Sequence, residues 1–112
     1  MVRRASERRK HTRHALACPV SLSREDEKLL AQSKTVNISD GGALVAVPSK
    51  SVPRLDQKVA LVFSVPRSTA NTYMLEEFTG RARIVRHQPL TDNDQVGVAI
   101  QFLPAMSLGL EA

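Results

Sequence analysis

Two short clusters hold most of the residues in this chain that are equipped for recognition chemistry. The first is Glu7-Arg8-Arg9-Lys10-His11-Thr12-Arg13-His14. Arg9 and Arg13 stand four apart, Arg8 lies beside the first, and arginine outnumbers lysine. A guanidinium is a planar fork that grips phosphate with two hydrogen bonds, stacks on aromatic rings and reads the O6 and N7 edge of guanine. A ligand carrying both phosphates and guanines would use all three abilities. The second cluster is Asn37-Ile38-Ser39-Asp40-Gly41-Gly42. On an extended chain Asn37 and Ser39, two apart, project from one face, and both hydrogen-bond base edges or phosphates. Gly42 removes bulk where a ligand or a backbone must approach. Taken alone, the first cluster also reads as a solvated basic tail and the second as a tight polar hairpin turn.

Catalysis has little to stand on. His11 and His14 fall in the N-terminal arm and His87 at a strand end, and no G-x-S-x-G or P-loop pattern is present. His11, His14 and Cys18 match no common zinc spacing and lack a fourth ligand. Asp26, Glu27, Glu76 and Glu77 lie in polar runs where carboxylates are solvated. We expect no enzyme, no metal and no cofactor. Cys18 is the only cysteine, which excludes an internal disulfide and agrees with the cytoplasm. Its apolar setting, Ala15 to Val20, implies a buried structural thiol.

The elements that must position the two clusters follow from charge and periodicity. A chain of 112 residues makes one domain with a modest core. Residues 1–14 carry six basic side chains against Glu7, whereas the remainder carries ten of each sign, so the net charge of +5 belongs to the arm. With almost no apolar content, that arm is expected to be flexible. Beyond it Leu16, Cys18, Val20 and Leu22 alternate as in a half-buried strand, with Pro19 placing it at an edge or an opening. A second strand is predicted from Leu29 to Ile38 with Val36 and Ile38 inward. A turn at Asp40-Gly41-Gly42, exploiting positive φ at glycine, leads to a third strand from Ala43 to Val47. Val59 to Val65, ended by Pro66, is the fourth, Tyr73 to His87 the fifth, and Val96 to Phe102 the sixth. Short strands with turn signals between them indicate an all-β antiparallel barrel or sandwich. No apolar run approaches the ~20 residues of a membrane span.

Together the clusters resemble the PilZ family of cyclic di-GMP receptors, which carry R-x-x-x-R in an N-terminal arm and [D/N]-x-S-x-x-G twenty to thirty residues later. Arg9-Lys10-His11-Thr12-Arg13 matches the first motif, and Asn37-Ile38-Ser39-Asp40-Gly41-Gly42 the second. The likeness continues through Gly80 to Arg86 and Val96 to Phe102. It implies a six-stranded antiparallel split barrel: a flexible arm over residues 1–14, the barrel over 15–104 and a short tail over 105–112, too short for a helix of consequence. It also implies cyclic di-GMP as ligand. Arg9 and Arg13 would hold phosphates and guanines, Asn37 and Ser39 would read a guanine edge, and Gly42 would give clearance. Arg8, from its charge alone, is assigned to a second, stacked ligand molecule. Binding would order the arm over the barrel and change the surface offered to an unidentified downstream protein. The expected protein is cytoplasmic, a monomer or weak homodimer, without DNA or RNA as partner. Two alternatives remain: a nucleic-acid-binding barrel using the basic arm, and an adaptor that binds only protein.

Overall fold

The structure, a computed structural model, describes residues 12–91 and 94–110. Six strands are present among them: β1 (Pro19–Ser23), β2 (Leu29–Ile38), β3 (Gly42–Pro48), β4 (Lys58–Ser68), β5 (Tyr73–Pro89) and β6 (Gln95–Phe102). They close into a barrel in the order β1-β2-β3-β6-β5-β4, every neighbour antiparallel. Closure covers most of the sheet edges that would otherwise invite another chain. The predicted all-β barrel and its six strands are therefore the observed architecture.

Alternation fills the interior as the sequence dictates. Val20 and Leu22, Val45 and Val47, Val59, Leu61, Phe63 and Val65, and Val98, Ile100 and Phe102 all point inward and are buried. Phe63 stacks between Phe78 and Phe102, with ring centroids 5.4 and 5.5 Å away. Residues 104–110 form no helix. They return instead to the barrel, where Leu108 is wholly buried in the core.

Three local expectations give way, each for a stated reason. Val36 is exposed rather than inward, because β2 bulges against β3 between Thr35 and Asn37. A bulge sets two residues of one strand against one of its partner and so shifts the alternation. Pro66 does not end β4, which runs on to Ser68. β1 covers β4 only from Ala60 to Phe63, so beyond that point one flank of β4 is an edge, where a strand tolerates proline. Finally, neither Gly41 nor Gly42 has positive φ; among the described residues that backbone occurs at Glu27, Asp56 and Gly109.

Pro19 is the first residue of β1 and pairs with Lys34 alone, ahead of the β4 ladder that starts at Val20. The chain before it follows β2 without forming a full strand. Thr35, itself buried, accepts a hydrogen bond from the Cys18 N–H at 2.8 Å and donates to the Leu16 carbonyl at 2.5 Å. Burial pushes the Cys18 thiol up, with the Thr35 hydrogen bond and the Arg67 charge acting in the opposite sense. The native state thus favours the neutral thiol. Stability should be level below the unfolded thiol's pKa and decline above it, where the unfolded chain ionises first. In native buffer near pH 8 a disulfide reagent should leave Cys18 unmodified, and the same reagent in denaturant should modify it fully. Fast native modification would contradict the burial.

Candidate functional site

Two main-chain hydrogen bonds set the position of the arm's end. The His14 N–H donates to the Ile38 carbonyl at 2.8 Å, and the Ile38 N–H donates back to the His14 carbonyl at 2.9 Å. This reciprocal pair lays His14 beside the end of β2, next to the polar turn. As a result Arg13, Asn37, Ser39 and Gly42 line one surface groove of about 250 Å³. Residues drawn from two distant stretches of sequence meet there. Arg8 and Arg9 lie outside the described residues.

The groove runs across the outer face of four adjacent strands, and the pairing register shows its floor. Asn37 of β2 stands opposite Leu44 of β3, Leu44 opposite Ala99 of β6, and Ala99 opposite Arg86 of β5. Leu44 and Ala99 are buried, yet they are not part of the barrel core. They form an apolar strip under the groove, with a polar side chain at each end. The bulge at Val36 sets Asn37 at its end of the row. A second bulge, between Ile84 and Arg86, does the same for Arg86 on the opposite side.

The polar turn divides its residues between groove and scaffold. Ser39 is buried, accepts the Gly41 N–H at 3.2 Å and donates to the Gly42 carbonyl at 3.4 Å. Its hydroxyl holds the turn as well as bordering the groove. Asp40 faces the other way: its carboxylate accepts the Leu108 N–H at 3.1 Å and its carbonyl the Met106 N–H at 2.8 Å. Arg67 in turn donates to the carbonyls of Leu108 and Gly109 and pairs with Glu76. The turn is thereby tied to the tail, and the tail to the β4–β5 hairpin. Gly42 is needed by the fold itself, since a Cβ there would overlap the Ile100 carbonyl oxygen of β6.

Sequence reading missed Arg86, Gln88 and Gln101, all of which line the groove. Arg86 donates to Gln88 at 2.9 Å, and Gln101 accepts from Arg83 at 3.0 Å. Their only signal was polarity at strand positions two apart; the facing depends on a bulge that no turn residue announces. His87 is taken up by the Pro53 carbonyl at 2.7 Å. Among the described residues no group of three His, Cys, Asp or Glu is placed to hold a metal ion.

The described residues thus form a closed six-stranded antiparallel barrel with His14 paired to the end of β2. The sequence matches the PilZ domain model over residues 7–109, and the chain belongs to the PilZ domain family. Among solved structures, it resembles that of the Bacillus subtilis inhibitor of motility MotI/DgrA, with a TM-score of 0.73 at 16% sequence identity. That likeness is one of fold; it covers 96% of this chain and 46% of the other, so this chain spans about half the length of its structural neighbour. Among curated proteins, none matches the sequence. Among the described residues no helix is long and apolar enough to cross a membrane.

Proposed function

We propose that this protein is a cyclic di-GMP receptor in which the N-terminal arm closes over a ligand lying on the barrel. The observation that supports it most is the convergence of Arg13 with Asn37, Ser39 and Gly42 on one groove, because both halves of the family's binding signature then face the same ligand. Arg13 and Arg9 bind the phosphates and stack on or edge-bind guanine, Asn37 and Ser39 meet a guanine edge, and Arg8 serves a second, stacked molecule. Closure of the arm changes the surface offered to a downstream partner protein. The structural neighbour, by its name an inhibitor of motility, fits an output of that kind.

A charge-assisted hydrogen bond contributes roughly 1.5–3 kcal/mol, and a stacked arginine about 0.5–2 kcal/mol. Ordering arm residues costs about 1–2 kcal/mol each. The balance gives affinity on the order of micromolar, near −8 kcal/mol, which suits a reversible sensor. Calorimetric titration with cyclic di-GMP, with GTP and cyclic GMP as controls, tests the reading. Saturable heat for the cyclic dinucleotide alone is expected; no heat at millimolar ligand would refute it.

A nucleic-acid-binding barrel would offer aromatic side chains as stacking platforms on its outer strands. Here Phe63, Phe78 and Phe102 are stacked on one another, with Phe63 and Phe102 buried. Exposed Tyr73 lies at the far end of the β4–β5 hairpin, where it faces Ser68. This disfavours that alternative.

A further inference from the structure

We propose that Arg86 reads the guanine edge of the ligand from the far side of the groove, opposite Asn37. The assignment rests on the cyclic di-GMP reading above and names the residue that would give it base specificity. Three observations carry it.

The first is register. Asn37, Leu44, Ala99 and Arg86 form one row across β2, β3, β6 and β5. With strands about 4.8 Å apart, Asn37 and Arg86 stand roughly 14 Å apart at their backbones. The strip between them is apolar, since Leu44 and Ala99 are the side chains of that row. A flat heterocycle lying on that strip has its edges turned toward the two polar ends.

The second is the paired bulges. One falls between Thr35 and Asn37 and the other between Ile84 and Arg86, so each reset of alternation occurs next to a polar groove residue. Both leave a valine exposed, Val36 at 41% and Val85 at 39%. After buried Ala82 and Ile84, strict alternation would turn Arg86 inward; the bulge leaves it on the outer face instead. Bulges that re-aim a side chain are a recurring device at binding sites.

The third is chemistry. Near Arg86 the groove is lined by the neutral amides Gln88 and Gln101. An amide both donates and accepts, which matches a base edge; a phosphate offers acceptors alone. The side-chain amide oxygen of Gln88 takes one N–H of Arg86 at 2.9 Å and so orients the guanidinium. The other donors stay available for the O6 and N7 acceptors of guanine, the pair an arginine fork fits best.

The test pairs protein variants with a ligand variant, cyclic di-GMP in which guanine N7 is replaced by C–H. Wild-type protein should bind this 7-deaza ligand about tenfold more weakly than cyclic di-GMP. Arg86→Ala should bind cyclic di-GMP about tenfold more weakly than wild type and show a markedly smaller 7-deaza penalty, what remains being any edge contact of Arg9 or Arg13. Arg86→Lys should recover little of the loss, because an ammonium lacks the fork. Arg81→Ala removes an exposed positive charge from the same strand outside the groove and should bind as wild type does. A 7-deaza penalty of undiminished size in Arg86→Ala would overturn the assignment, as would wild-type affinity in that variant. Wild-type protein that ignores cyclic di-GMP altogether would bring down the receptor reading itself, and this assignment with it.

Discussion

Arg13→Ala should weaken cyclic di-GMP binding by about 30-fold or more while the barrel melts at its original temperature. The side chain is exposed and lines the groove, whereas the local backbone is held by the His14–Ile38 pair, which needs no side chain. The variant is therefore expected to lose recognition while that main-chain pair keeps the local backbone in place. The lost contacts are charge-assisted hydrogen bonds, roughly 1.5–3 kcal/mol, and stacking, about 0.5–2 kcal/mol. Together they come to about 2–5 kcal/mol, and each 1.4 kcal/mol is a factor of ten in affinity. Arg9→Ala is expected to behave likewise, on the strength of the R-x-x-x-R motif. Calorimetry on both variants, with a thermal melt alongside, checks the point. Unchanged affinity in both would refute the closing-arm mechanism.

The barrel was legible because it depends on alternation, and alternation is written in residue type. β6 shows this best: Val96, Val98, Ile100 and Phe102 announce a half-buried strand by their spacing alone, and three of them are buried. The core could be read for the same reason. The site was legible only through its motifs. Nothing in the chemistry of Arg13 or Asn37 says that they meet; the meeting is made by hydrogen bonds from His14 to Ile38, which are main-chain and blind to side chain. The far wall of the groove was hidden by a different cause. A bulge shifts facing by one residue, so Arg86, which strict period two after Ala82 and Ile84 would turn inward, lies on the outer face beside Val85. Val36 is misplaced by the same shift. Leu108 could not be placed because a single buried leucine in a short tail has no period at all.

Gly42→Ala is expected to destabilise the protein severely, not merely to obstruct a ligand. The added methyl would overlap the Ile100 carbonyl oxygen and stand 3.3 Å from the Gln101 Cα. Both are backbone atoms of β6 in the ladder that joins it to β3, so neither rotates away. The two strands would have to part at the point where Gly42 faces Gln101. The strain would reach the neighbouring bonds from the Phe102 N–H to the Gly41 carbonyl, 2.9 Å, and from the Ser39 N–H to the Gly42 carbonyl, 2.8 Å. Overpacking a flexible core costs typically about 1–3 kcal/mol, and a rigid backbone neighbour places this case at the upper end. For a domain of this size that corresponds to a fall of roughly 10 °C or more in melting temperature. Circular dichroism melts of the two proteins measure it directly. A variant that melts with wild type yet has lost cyclic di-GMP would show that Gly42 serves ligand clearance alone, against its structural role. The expected result instead makes the motif's glycine the residue that lets β3 and β6 meet, and so fixes the floor on which Asn37 and Arg86 face each other.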